Sequence, residues 1–260
     1  MLALPAIPLH RPAAAASSSS STRADGRNFD QLRPLKLRTG VVSSASGSAL
    51  LELAHTKVLC SVFGPHATDG REYLEQGQLV CSLRFASFAR KPRRKERQMP
   101  GGTAEEKALS LELGAALASS VQLHLLPKST IAVHALVLQD DGGALPAAVS
   151  CASLALADAS ILLYDLVAAC SCAVLPSPAP AISGAIIALD GSAAELAAAE
   201  STIAIVACMP TLDQLTLVRQ EGLVPFERLA EGLQLALSGC KLLHGQMKAA
   251  LEARASGGET

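Results

Sequence analysis

Between residues 34 and 64, three short apolar runs (35–43, 48–53 and 57–64) are divided by the turn signals Ser44-Ala45-Ser46-Gly47 and Ala54-His55-Thr56. Runs this short do not make stable helices, and Ser/Gly-rich turns between them point to antiparallel neighbours, so the segment reads as a three-strand meander. That feature constrains the whole chain, because a sheet with one apolar face must be covered by helices or by a second sheet. Residues 78–88 supply a fourth strand candidate. A helix is expected after Thr103, where Thr103-x-x-Glu106 has the spacing of a capping box, with Leu109, Leu113, Ala116 and Leu117 on one face and Pro127 as terminator. Strands are expected over 130–138, 167–175, 185–189, 202–209 and 214–219. An Ala-rich helix is expected over 146–160. From 225 to 254, Leu229, Leu233, Leu237, Cys240, Leu243, Met247 and Leu251 recur every three or four residues, which describes one long amphipathic helix. The sum is an α+β fold: mixed sheets, packed helices and a long C-terminal helix. The order is not a βα repeat, Gly142-Gly143 lacks the dinucleotide spacing, and no Walker sequence occurs, so nucleotide-fold readings are disfavoured.

Composition narrows the function classes. With a formal net charge of −1 over 260 residues, no global basic field attracts nucleic acid, and any such contact must come from local patches. Seven aromatic residues, none of them Trp, argue against a base-stacking surface. The seven cysteines include no Cys-x-x-Cys pair, so neither a disulfide framework nor a zinc site is indicated, and no metal or cofactor is expected. Cys170 and Cys172 would share a face if their segment is a strand. The most apolar stretch, 168–189, contains Pro176, Pro178, Pro180 and Gly184 and reads as strand, loop and strand, with no membrane span expected. Residues 1–24 are rich in Ala, Ser and Pro; composition favours a disordered tail over a transit peptide there. The ordered domain is expected over 25–255, with a flexible end at 256–260.

Two local features carry candidate chemistry. Asp140-Asp141 could be a carboxylate pair, although an acidic turn before a helix more often serves capping. His55 and His66 stand in turns with no nearby nucleophile, and Ser150 and Ser153 lack a Gly-x-Ser-x-Gly elbow. The segment Arg90-Lys91-Pro92-Arg93-Arg94-Lys95-Glu96-Arg97 holds six basic residues in eight, followed by Pro100-Gly101-Gly102. Charge without aromatics suits sequence-independent contact with phosphates, so Arg90, Lys91, Arg93, Arg94, Lys95 and Arg97 are RNA-binding candidates. A solvated or protein-contacting loop stands as an equal reading.

Several ordered pieces resemble the RNase PH superfamily: Asp25-Gly26-Arg27; Gly47-Ser48-Ala49 with Thr56-Lys57-Val58 and Gly64-Pro65; Leu138-Gln139-Asp140-Asp141-Gly142-Gly143; Leu154-Ala155-Leu156-Ala157-Asp158-Ala159; and Tyr164-Asp165-Leu166. Within it, the chain is most similar to RNase PH-type subunits of the eukaryotic RNA exosome. Leu32-Arg33-Pro34, Lys57-Val58-Leu59-Cys60, Tyr164-Asp165-Leu166-Val167 and Leu175-Pro176-Ser177-Pro178-Ala179-Pro180 narrow the resemblance to one subunit class. The resemblance implies the RNase PH-type fold (ribosomal protein S5 domain 2-like). It also implies a six-membered ring of RNase PH-like subunits, RNA-binding cap subunits, single-stranded RNA in the channel, and a hydrolytic nuclease below. Nuclear and nucleolar, and also cytoplasmic, location is implied with it.

Active members of that family are known for a Gly-Gly-Thr-Arg phosphate loop and for two aspartates six residues apart. Here the loop is Gly142-Gly143-Ala144-Leu145, and counting back from Met209-Pro210 puts the aspartate positions at Ala197 and Ile203. The expectation is a non-catalytic subunit; the alternative is an active phosphorolytic 3′–5′ exoribonuclease.

Overall fold

The computed structural model describes residues 23, 25–67, 75–90, 102–175, 186–197 and 202–257. The meander forms as expected: β1 (Leu35–Thr39), β2 (Gly47–Leu53) and β3 (Thr56–Ala67) pair antiparallel in sequence order. The next strand, β4 (Gln78–Phe85), does not continue it. It pairs parallel to β5 (Ser129–Gln139), which inserts between β3 and β4 and gives the order β1-β2-β3-β5-β4. The crossover is α1 (Ala104–Ala118). Its capping box forms, with Glu106 N donating to Thr103 Oγ1 (3.3 Å) and Thr103 N to Glu106 Oε2 (2.9 Å). Pro127 does not terminate it. The helix stops at Ala118 and a 3-10 turn over Leu123–Leu125 intervenes.

The second sheet has the order β7-β6-β8-β9, from β6 (Ala168–Leu175), β7 (Ile186–Leu189), β8 (Thr202–Met209) and β9 (Gln214–Glu221). Helix α2 (Ala144–Asp158) lies between the sheets with thirteen of its fifteen residues buried, which explains a sequence apolar all round and built from Ala. Small side chains let backbones close in. A Cβ on Gly47 would stand 2.3 Å from Ala159 N and 2.5 Å from Ala155 O, so β2 starts directly against the end of α2. A five-residue helix, α3 (Ala193–Ala197), was not read from sequence.

The long helix is α4 (Phe226–Gly257); Cys240, Leu243 and Met247 are buried and Leu235, Leu237 and Leu251 pack against the core. Cys170 and Cys172 do share a face. Their Sγ atoms stand 3.2 Å from where side chains on Gly239 and Gly232 of α4 would begin, so those two glycines, one heptad apart, make room for the sulfurs. All seven cysteines are free thiols. Among the described residues no helix is long and apolar enough to cross a membrane.

Two motif aspartates are staples in this frame. Asp158 accepts from Ser48 N (2.9 Å) and pairs with Arg254. Asp165 accepts from Thr211 N (2.8 Å) and Thr211 Oγ1 (3.0 Å) and meets His244 Nε2 at 3.1 Å, fastening the β8–β9 turn and α4 to the entry of β6.

Candidate functional site

Where the two sheets diverge, a cleft of about 490 Å³ opens. Its floor is the loop after β5 and the start of α2, from Gly142 to Leu145. Ser171 and Ala173 of β6 and Ile203 and Ile205 of β8 form one wall. Glu105 and Leu109 of α1 form the other, and Arg90, Arg219, Asp140 and Glu221 stand at the edges. The loop positions assigned to phosphate and the second position assigned to an aspartate, Ile203, therefore line one cavity. Ala197 ends α3, whose Leu196 lines the same cavity. Gly143 and Ile203, 60 positions apart in sequence, thus line the same cavity, and Ala197 does not.

The loop is held from behind. Arg33, 3% exposed, spans Asp190 with Nε–Oδ2 at 2.8 Å and Nη2–Oδ1 at 2.6 Å. Its remaining N–H groups donate to Asp141 O (3.0 Å), Gly142 O (3.0 Å) and Thr56 Oγ1 (3.2 Å). Thr56 Oγ1 donates to Gly142 O (2.8 Å) and accepts from Asp141 N (3.2 Å). Gly142 (φ +87°) and Gly143 (φ +69°) take left-handed conformations that suit glycine. A Cβ on Gly142 would stand 2.8 Å from Gly191 O, so the loop also lies against the β7–α3 connection. Burial works against the Arg33 charge, but Asp190 beside it overcomes that and its pKa rises.

The front of the loop offers little to an anion. Ala144 and Leu145 carry neither hydroxyl nor guanidinium, and Ile203 carries no carboxylate. The two arginines at the edges are already engaged. Arg90 donates to Asp140 Oδ2 (2.6 Å) and Glu105 Oε1 (2.7 Å) with its guanidinium 4.0 Å above the Phe85 ring. Arg219 pairs with Glu112 Oε2 (2.5 Å) and with Glu221. Burial opposes the charge of both, and these carboxylates outweigh it and raise their pKa values. The cleft's charged lining, Arg90 and Arg219 with Glu105, Asp140 and Glu221, carries a formal −1, which opposes an incoming phosphate. Burial pushes the Cys172 thiol up to about 11, so it stays protonated and is no nucleophile at neutral pH. Among the described residues no three His, Cys, Asp or Glu side chains converge as a metal site.

The other sequence candidates take structural places. Asp140 closes a turn by accepting from Gly142 N (3.1 Å) as well as holding Arg90. Ser150 accepts from Ala169 N (3.0 Å) and Ser153 from Val167 N (2.9 Å), tying α2 to β6. His55 and His66 are exposed. Of the basic segment only Arg90 lies among the described residues; Lys91, Arg93, Arg94, Lys95 and Arg97 lie outside them. Sequence reasoning missed Arg23 and Glu195. Arg23, on the tail side of the expected boundary, is buried, donates to Leu189 O (2.7 Å) and is bidentate to Glu195. The Arg23 pairing and bonds from Ser192 hold the Glu195 carboxyl down at about 2 despite burial. Ser192-x-x-Glu195 is itself a capping box, a signal present in the sequence.

The model of the 3′ exoribonuclease family, domain 1, matches residues 31–161, about half of the chain. The chain belongs to the RNase PH family. The human protein called exosome complex component MTR3 is 39% identical over 242 residues, covering 86% of this chain and 84% of that protein. An Arabidopsis thaliana protein, exosome complex component RRP41-like, is 36% identical, covering 90% and 86%. The likeness to MTR3 agrees with the subunit-level resemblance carried by Leu32-Arg33-Pro34 and Tyr164-Asp165-Leu166-Val167. Among solved structures, rice (Oryza sativa) Rrp46 superposes with a TM-score of 0.72 at 26% identity, covering 88% of this chain and all of that one. A subunit of the Archaeoglobus fulgidus exosome with RNA bound to its active site shares the fold at a TM-score of 0.70 and 18% identity, covering 87% and 92%. The RNase PH-type fold is thus established for this chain.

Proposed function

We propose that this RNase PH-family chain is a non-catalytic, structural and RNA-channelling subunit of an RNA exosome ring, supporting 3′–5′ processing and decay of RNA (ribosomal and small nuclear RNA 3′ trimming, messenger RNA turnover). The observation that carries the reading is the cleft. The glycine loop is held in place, yet Ala144, Leu145 and Ile203 line it where anion and metal chemistry would need oxygen and nitrogen. Phosphorolysis requires a bound phosphate in line with the terminal phosphodiester, and a cleft lined by Glu105, Asp140 and Glu221, with its two arginines already paired, disfavours one.

The likeness to exosome components supports membership of a hexameric ring of RNase PH-like subunits. RNA-binding cap subunits, single-stranded RNA and a hydrolytic nuclease below the ring follow as proposed partners, in the nucleus and nucleolus and also the cytoplasm. Arg90, Lys91, Arg93, Arg94, Lys95 and Arg97 are proposed as a phosphate-contacting segment. Arg90 would contribute least, being committed to Asp140 and Glu105.

The test is affinity purification of the tagged chain with identification of its partners, followed by a phosphorolysis assay on single-stranded RNA with inorganic phosphate. Ring and cap subunits should co-purify, and the isolated chain should release no nucleoside diphosphate. A lone chain that releases nucleoside diphosphates in a phosphate-dependent way would overturn the reading in favour of an active exoribonuclease.

A further inference from the structure

The first sheet has one covered face and one open face. Helices α1 and α2 pack on the side to which Leu51, Val58, Cys60, Val133 and Leu83 point, and these are buried. Strand alternation turns the intervening residues the other way, and there Lys36, Arg38, Arg84 and Leu136 are exposed, with α4 reaching this sheet only at the edge strand β1. The pairing registers align Arg38, Leu50, Leu59, Leu136 and Arg84 in a single row across all five strands. Three leucines on the inner strands are thus flanked by an arginine on each edge strand. Leu136 is 38% exposed and, two residues along β4 from Ser82, Val80 is 49% exposed. Lys36 and Lys57 point the same way, with Glu52 between them in register. Among the described residues only Lys57 of these four cations has a carboxylate partner, Glu52 at 3.7 Å. The open face therefore combines an apolar centre with a formal charge of +3.

We propose that this open face is a docking surface for an acidic, apolar segment of a partner protein. Such a segment would seat its apolar side chains on Leu50, Leu59 and Leu136 and set carboxylates against Arg38 and Arg84. The two edge strands are roughly 19 Å apart, four strand spacings of about 4.8 Å, which sets the separation the carboxylates must span. Charge alone would also suit RNA. RNA, however, covers an apolar surface by stacking bases on aromatic rings, and Phe63 is the aromatic this face offers, its ring already 5.8 Å from that of His134. The leucine row favours protein. Basic residues on edge strands also discourage strand addition by another chain, a role that needs no partner; the two differ in whether the leucines are covered. The inference concerns a surface on the other side of the sheet from α1 and α2 and does not depend on whether the cleft is catalytic.

Hydroxyl-radical footprinting of the tagged assembly purified from cells, against the isolated full chain, decides it. Oxidation at Val80, Leu59 and Leu136 should fall at least fivefold in the assembly and stay low after nuclease treatment. A zero-length carbodiimide should join Lys36 and Lys57 to Asp or Glu of another protein chain. The double substitution Arg38→Glu with Arg84→Glu should restore oxidation at Leu136 without shifting the thermal unfolding of the isolated chain. Equal oxidation rates in the two samples would overturn the proposal. So would protection that nuclease removes, which would make the ligand RNA, or cross-links confined to the chain's own carboxylates.

Discussion

Arg33 and Arg90 stand behind and in front of the Gly142–Gly143 loop, and carboxylates surround both. Arg33 is buried, bidentate to Asp190, and turns its other donors to the loop's own carbonyls and to Thr56 Oγ1, which itself holds the loop. Arg90 has a side chain 36% exposed and turns outward to Asp140 and Glu105. The first arrangement closes the core where the two sheets meet, so the fold requires it whatever the cleft does. The second, with its counterpart at Arg219, only decides the charge an incoming ligand meets. The difference separates positioning from chemistry: a loop can be held in place and still present nothing reactive to the cleft.

The strongest way to break this comparison is to remove Asp190. Asp190→Ala leaves the Arg33 charge buried without its partner, which costs on the order of 3–5 kcal/mol, read as a shift of the denaturant midpoint of the isolated chain. The double variant Arg33→Met with Asp190→Leu should lose clearly less than Asp190→Ala alone, because no orphaned charge remains. A loss under about 1 kcal/mol for Asp190→Ala would mean that the pair is not the anchor it looks. Gly142→Ala comes next. It forces a left-handed alanine whose Cβ would stand 2.8 Å from Gly191 O, an expected cost of about 1–3 kcal/mol. Tolerance of alanine would show that the β7–α3 connection yields.

The sequence made the local half of this picture legible. Short apolar runs with Ser/Gly turns announced β1 to β3, Thr103-x-x-Glu106 announced α1, and the leucine spacing announced α4. β8 has the expected bounds. What stayed hidden is non-local. Nothing near residues 78–88 tells that β4 pairs parallel to β5 across a crossover, or that Arg33 finds its partner 157 residues away at Asp190. The cleft positions Ala144, Leu145 and Ile203 were reachable through the family resemblance, since motif order carries their alignment. The saturation of Arg90 and Arg219 was not, because Glu105 and Glu112 of α1 and Asp140 after β5 reach the two arginines only in the fold, Glu221 alone being a neighbour of Arg219 along β9.

Arg90 itself sharpens the contrast by how little it should matter to stability. Arg90→Ala removes a half-exposed pair and should cost no more than about 1 kcal/mol, well below Asp190→Ala. It also leaves the cleft more acidic, so inorganic phosphate should not protect the variant against thermal unfolding. A loss as large as that of Asp190→Ala would move Arg90 from the edge of the site into its frame.

The effect with the clearest sign belongs to Arg23 and Glu195. Because the native carboxyl is held at about 2 against an ordinary 4.5, the unfolded chain binds more protons than the native one between those values. Stability from this pair is therefore fully present above about pH 5 and is lost as pH falls toward 2. Glu195→Gln removes the titration while keeping an acceptor for Arg23. The stability difference between the parent and this variant should be largest at pH 6 and shrink steadily on acidification, measured by urea unfolding at several pH values. A difference that grows as the pH falls would mean that the carboxyl is not held down in the native state, and that Arg23 is fixed instead by Leu189 O and Asp190 O. Arg23 would then be anchored by backbone carbonyls alone, and the ion pair would add no pH dependence to the frame behind the cleft.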